Sequence, residues 1–236
     1  WDDQPYNLAS VPESFIRGYR IATTEPTAPV YINYDADIQE DAVKEAIEIP
    51  DIGRYAPPAP VQANPEALRR AAKLLVEAKS PLIIVDYLGR NPKSVASLIE
   101  LAELLAIPVI DKGNRFNFPN SHPLDVTDGA RELLQKADVI LALDVADLYG
   151  SLTTVSKSTR ACEYVTSPSV KLIHISMNDM LVRSWAGDYM VLQALDIPIC
   201  GDTSIALPEL TQLCRQMMGS DGKRKGEIQA RFNAVK

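Results

Sequence analysis

The stretch PLIIVDYLGRNPKSVASLIELAELLAIPVID, Pro81 to Asp111, restricts the fold of this chain more than any other. Leu82–Val85 is a short continuous apolar run, the pattern of a strand covered on both faces. Tyr87–Arg90 makes a turn. Asn91 can cap the helix that follows, and Pro92 stands at its first position, where a missing N–H costs nothing. Val95, Leu98, Ile99, Ala102 and Leu105 then recur at helical spacing and form one buried stripe. Ile107–Ile110 is a second apolar strand. Strand, helix and strand in this order make a βαβ unit, which is almost always right-handed and implies a parallel sheet.

The alternation continues on both sides. Asn64–Ser80 repeats the Asn-Pro opening, with Leu68, Ala71, Ala72, Leu75 and Val76 on one helical face. A loop rich in Asn, Gly and Pro follows Asp111 and leads to a helix over Ala130–Lys136, which Thr127 or Asp128 can cap. Val139–Leu143, Val170–Ile175 and Ile197–Cys200 read as further strands, Asn178–Val182 as a short helix, and Ser204–Met218 as a closing helix. Pro208 fits that helix only if its cap lies near Ser204. Leu148–Pro168 reads as loop with some helix. Residues 64–219 therefore predict an α/β fold. It is a doubly wound, mostly parallel sheet of five or six strands with helices on both faces, Rossmann-like and of the DHS type that holds NAD or FAD.

In such sheets ligands sit beyond the carboxyl ends of the strands. The loops Tyr87–Arg90, Lys112–Arg115, Asp144–Leu148, Ser176–Asp179 and Gly201–Thr203 are where a site is expected. Gly89, Arg90, Lys112, Asn114, Asp144 and Asn178 are the candidate residues of a nucleotide-binding edge. Arg90 is placed to hold a phosphate, although a salt bridge explains it equally well. Asp86 stands where a ribose-binding carboxylate lies in some folds, but a cap of the next turn is the commoner use. His174, inside VKLIHIS, reads as a buried and hydrogen-bonded structural histidine, and His122, before Pro123, as part of a turn.

The flanks differ in character. Val11–Thr24 is an amphipathic helix with Val11, Phe15, Tyr19 and Ala22 on one face and Ser10 able to cap it; Thr27–Tyr34 follows as an apolar strand. One helix and one strand cannot bury a core, so residues 1–35 are expected to be the remnant of a domain whose other parts lie upstream. Residues 36–63 run acidic and then proline-rich and read as a linker. Asp41–Ile49 is expected to form one or two helical turns within it, and Pro57, Pro58 and Pro60 a semi-rigid spacer. Residues 220–236 begin as a flexible linker and end in a helical pattern with nothing after it to pack on.

The formal net charge of −7 argues against a nucleic-acid or anionic-membrane surface. No apolar run approaches the roughly 20 residues that cross a bilayer. Three scattered cysteines, Cys162, Cys200 and Cys214, without a CxxC pair, argue against disulfides and zinc and fit a reducing cytoplasm. With two histidines in structural contexts, no Ser/His/Asp arrangement is legible.

The order of the motifs resembles the central domain of thiamine-diphosphate-dependent enzymes of the acetolactate synthase, pyruvate oxidase and benzoylformate decarboxylase family. GYRIATTEPTAPVYINYDADIQED is similar to the last helix and strand of that family's pyrimidine-binding domain. NPEALRRAAKLLVEAKSPLIIVDYLGR, LAELLAIPVIDKGNRFNFPNSHPL, ADVILALDVAD, VKLIHISMNDML and IPICGDTSIALPEL follow in the order of its central domain. The resemblance implies a parent enzyme that uses thiamine diphosphate and Mg2+ and works as a homodimer or tetramer. Its catalytic glutamate belongs to a preceding domain and its Gly-Asp-Gly…Asn motif to a following one. Gly201-Asp202 lacks the next glycine, and Ser220-Asp221-Gly222 lacks the spacing and the strand, so this chain is expected to be inactive and to serve assembly.

The resemblance also implies that a central domain of this kind can carry FAD or ADP, and a CoA-like nucleotide is a related option. Here the sequence departs from that pattern. Asp86-Tyr87-Leu88-Gly89-Arg90 has one glycine. Asp144-Val145-Ala146-Asp147 replaces a Gly-Ala-Arg-type loop and adds two carboxylates that repel phosphate. Ser176-Met177-Asn178-Asp179 replaces an Asp-x-Asp-Pro turn. Two other readings of the residues are a stand-alone FAD, NAD or ADP module and an assembly domain without a ligand.

Overall fold

The computed structural model describes residues 1–44, 46–180, 191–219 and 222–235. They fall into two compact units, Trp1–Pro60 and Val61–Lys236.

In the first unit, β1 (Asp2–Asp3) lies parallel to β2 (Tyr31–Ile32), and α1 (Val11–Thr23) connects them. Ser10 does not cap α1 with its side chain. It belongs instead to a reciprocal box with Asn7, which closes a short 3-10 turn over Leu8–Ser10. The strand is shorter than Thr27–Tyr34, because among the described residues β1 alone pairs with it and only over two positions. A groove of about 340 Å3 remains open between α1 and β2, lined by Phe15, Gly18, Tyr19, Ala22, Val30, Ile32 and Tyr34. The helix expected over Asp41–Ile49 is not found among its described residues. A single turn forms earlier, as α2 (Ala36–Glu40), with Asp37 in its first turn where the helix dipole favours an acid.

The second unit holds the expected sheet. Its helices and strands are α3 (Pro65–Glu77), β3 (Pro81–Val85), α4 (Pro92–Leu105), β4 (Val109–Asp111), α5 (Ala130–Lys136), β5 (Val139–Leu143), α6 (Leu148–Leu152), β6 (Thr153–Val155), β7 (Cys162–Tyr164), β8 (Lys171–Ser176), β9 (Ile197–Cys200), α7 (Thr203–Met218) and α8 (Gly222–Val235). Five strands in the order β4-β3-β5-β8-β9 pair in parallel throughout. Alternate strand residues supply two cores. Ile83, Val85, Leu141, Leu143, Ile173, Ile175, Ile197 and Ile199 pack with α3, α4 and α7. Leu82, Ile84, Ile140, Ala142 and Leu172 pack with Leu134 of α5 and Leu148 and Leu152 of α6. Both faces of the central strands are thus covered, which explains their unbroken apolar runs.

The Asn-Pro openings work as read: Asn64 accepts from the Ala67 N–H and Asn91 from the Lys93 N–H. Neither Thr127 nor Asp128 caps α5. Thr127 is used elsewhere, accepting from Asp111 N and donating to Asp125, within a 3-10 turn that precedes the helix. Pro208 sits inside α7 rather than in its first turn, because the cap is Asp202. Within Leu148–Pro168, β6 and β7 form an antiparallel hairpin after α6, so that stretch is more regular than a loop. The short helix read over Asn178–Val182 extends beyond the described residues. The C-terminal helical pattern is α8, and it does have something to pack on. Ile228 and Phe232 lie against the first core, and Arg231 donates to the carbonyls of Leu105 and Ala78 at the C-terminal ends of α4 and α3. A guanidinium is well placed there, since helix C-termini carry partial negative charge.

The amino edge of the sheet is tied by one carboxylate. Asp138 accepts from the backbone N–H groups of Lys79 and Ser80, just before β3, while its own carbonyl accepts from Lys171 at the start of β8. Asp138→Ala is expected to lower the unfolding free energy by about 1 kcal/mol, since two backbone donors lose their partner at an exposed edge where water can partly replace it. A shift of the urea midpoint at unchanged slope checks it; a change within error would show that water replaces the carboxylate.

Candidate functional site

The strand order reverses between β3 and β5. From β3 the chain moves outward to β4, then returns to β5 and continues to β8 and β9. The crevice beyond the carboxyl ends of β3 and β5 is therefore where a ligand of this fold sits. Every loop singled out in the sequence reaches this edge.

Asp86 follows β3 directly and is buried. Its Oδ1 accepts from Asn114 Nδ2 at 2.6 Å and its Oδ2 from Ala146 N at 3.2 Å, so it bridges the loops after β4 and β5. The next residue, Tyr87, donates its N–H to the Asp144 carbonyl at 3.1 Å. Asp86 thus caps neighbouring loops rather than facing open space. Asp144, also buried, has φ 48°, the left-handed region that non-glycine residues seldom occupy. Its Oδ2 accepts from Thr203 Oγ1 at 2.6 Å and lies 3.5 Å from Arg90 Nε. Arg90 Nη2 reaches Asp202 Oδ1 at 3.2 Å, and that same oxygen accepts from Ser204 N at 2.8 Å, capping α7. Burial pushes the Asp202 carboxyl up, but Ser204 and the Arg90 charge outweigh it and hold the group below the ordinary carboxylate range.

The remaining candidates are placed as follows. Gly89 donates its N–H to Asn117 Oδ1 at 2.9 Å, and a side chain at Gly89 would run into the Phe116 carbonyl. Asn178 donates from Nδ2 to the Val145 carbonyl and from its backbone to Ser176 Oγ. Asn114 is held by Asp86. Lys112 is exposed beside this network, with its backbone N–H on the Val85 carbonyl. The structure therefore brings Gly89, Arg90, Asn114, Asp144 and Asn178 into one group of contacts and leaves Lys112 at its rim. Arg115 lies over the Tyr87 ring, 5.4 Å from its centroid.

Sequence reasoning missed Asn117 and, although it marked the loop Gly201–Thr203, did not single out Asp202 or Thr203. Asn117 is fully buried and joins Asp111, Arg115 and Gly89. Nothing in GNRFNFPN separates it from Asn114 or Asn120. A signal did exist for Asp202: an Asp-Thr-Ser opening before a helix is a cap.

The two histidines are structural, though not in one way. His122 accepts from Leu124 N at Nδ1, meets Glu103 at Nε2 and packs edge-on against Phe118. His174 lies on β8 between Ala142 and Pro198. The residue is half-buried rather than sealed, but its Nε2 is shut off from water and has no hydrogen-bond partner among the described residues. Burial lowers its pKa to about 4, with Asp179 pulling the other way. Among the described residues no group of three His, Cys, Asp or Glu could hold a metal ion, and no helix is long and apolar enough to cross a membrane.

Residues 68–210 match the family described as "Thiamine pyrophosphate enzyme, central domain". A probable acetolactate synthase large subunit of Methanocaldococcus jannaschii is 27% identical over 220 residues, 85% of this chain and 33% of the relative. A sulfoacetaldehyde acetyltransferase of Castellaniella defragrans is 29% identical over 221 residues, 88% of this chain and 33% of the relative. The crystal structure of benzoylformate decarboxylase from Polynucleobacter necessarius superposes with a TM-score of 0.65 at 19% identity, covering 89% of this chain and 38% of that one, which shows the shared fold. The chain thus spans about a third of the length of the relatives it matches.

Proposed function

The chain belongs to the family of thiamine pyrophosphate enzyme central domains, and from that premise we propose that it is the non-catalytic middle of an enzyme that joins or decarboxylates 2-keto acids. The observation that carries this is the family match across the whole parallel sheet, together with relatives named for acetolactate synthesis and acetyl transfer. In this reading thiamine diphosphate, held with Mg2+ by other parts of the polypeptide, supplies a carbon nucleophile for carbonyl chemistry. The residues of this chain contribute a rigid spacer and surfaces for assembly into a homodimer or tetramer in the cytoplasm.

The same proposal covers the domain limits. Residues 1–35 end a pyrimidine-binding domain, 36–63 connect it, 64–219 are the central domain, and 220–236 lead toward a further one. The short two-stranded sheet and the open groove beside α1 support the first limit, since a parallel pair of two-residue strands cannot stand alone.

The test has two arms. The complete polypeptide is expected to release CO2 from a 2-keto acid such as pyruvate only when thiamine diphosphate and Mg2+ are present. The 236-residue chain is expected to show no heat of binding when titrated with thiamine diphosphate. Micromolar binding by the short chain, or cofactor-independent turnover by the long one, would overturn the reading.

A further inference from the structure

The switch-point crevice contains its own anions. Around Arg90 the places that phosphate oxygens would take are occupied by the Asp144 and Asp202 carboxylates, at 3.5 Å and 3.2 Å. Five further donors at this edge are also used. Asn114 Nδ2 and Ala146 N are on Asp86, Thr203 Oγ1 is on Asp144, Gly89 N is on Asn117, and Asn178 Nδ2 is on the Val145 carbonyl. Asp86, Asp144 and Asp202 are each no more than 3% exposed. A pyrophosphate brought here would meet three buried carboxylates and an arginine already shared between two of them, with Lys112 exposed only at the rim. It would also need close approach of backbone, and the Phe116 carbonyl already fills that space at Gly89. FAD, ADP and related nucleotides, which the resemblance makes possible, do not fit these residues.

We infer that Asp144 and Asp202 are an internal substitute for a nucleotide diphosphate. They neutralise Arg90 and close the crevice, so that the sheet edge is complete without a cofactor. Asp144 is the central member. It is the residue that binds both Arg90 and the first residue of α7, and it does so from a left-handed backbone conformation that glycine accepts more readily. A glycine at this position keeps the turn, removes one anion and frees room beside the guanidinium.

The inference concerns this edge alone and does not depend on the parent enzyme's reaction. The experiment titrates the 236-residue chain and its Asp144→Gly variant with inorganic pyrophosphate, ADP and FAD by calorimetry and thermal shift. Asp144→Asn serves as a second variant that keeps the side-chain shape, and circular dichroism confirms folding of each. The native chain is expected to show no shift with any of the three. At least one variant is expected to bind pyrophosphate or ADP at least about tenfold more tightly than the native chain, the size of one recovered charge-assisted hydrogen bond. Adding Arg90→Ala to that variant should abolish the gain. Two results overturn the inference. One is a native chain that binds any of these nucleotides in the micromolar range. The other is a pair of folded Asp144 variants as refractory as the native chain, because the carboxylate would then not be what holds the place.

Discussion

Arg90→Ala is expected to destabilise the chain by about 3 kcal/mol, the lower end of the range for removing one partner from a buried ion pair. The lower end applies because the Arg90 side chain is 17% exposed, so some water can enter in its place. Asp144 and Asp202 would then share a crevice without the cation that now lies between them, and both are buried. Arg90→Lys is expected to recover part of the loss only. An ammonium is a point charge and cannot meet two carboxylates in the plane of a guanidinium fork. A double-mutant cycle with Asp202→Asn isolates the pair: the Arg90 effect should shrink by at least half when Asp202 carries no charge. The cost should also fade in acid. The Asp202 carboxyl titrates below its ordinary value in the folded chain, so the stability it lends is present above the unfolded pKa of 3.8 and is lost as pH falls through the folded one. Equal urea midpoints for native and Arg90→Ala at neutral pH would show that the three side chains are neighbours without being coupled.

The second large effect comes from His174. In the unfolded chain it takes up a proton near its ordinary value of 6.5, whereas in the folded chain burial delays this to about 4. Between those values the unfolded state holds more protons, so stability falls as pH falls. The full loss is about 3 kcal/mol, reached near pH 4, and is absent above about pH 7.5. His174→Gln cannot ionise and should flatten the stability profile between pH 6.5 and 5, where carboxylates still contribute little. His122→Gln is the control, since it removes the other histidine. If native chain and His174→Gln lose stability in parallel over that window, the half-buried imidazole is not the cause.

How much of this was legible beforehand can be judged from single elements. Val139–Leu143 and Ile197–Cys200 were read with their observed limits, because a continuous apolar run bounded by polar residues leaves little choice. The caps read at Ser10, Thr127 and Asp128 are not formed, for one reason. Several neighbouring side chains were chemically able to do the same local job, and packing or a competing hydrogen bond chose among them. The hairpin of β6 and β7 was missed because its short, polar strands have no buried face to impose a period.

The candidate edge shows the same division. That its loops converge follows from the alternation of strand and helix alone, and so did the choice of Gly89, Arg90, Lys112, Asn114, Asp144 and Asn178. Which of them touch, and in what sense, depends on residues far apart in the chain. Arg90 meets Asp202, Asp144 meets Thr203, and Asp86 meets Ala146.

What the amino-acid order determined by itself was the parallel sheet, the faces of its helices and the edge where a ligand of this fold would lie, because periodicity and caps act over a few residues. What tertiary structure alone decided was the state of that edge. Whether a cation faces open space or two carboxylates is settled by distances between loops brought together from opposite ends of the domain, and no local pattern records those distances.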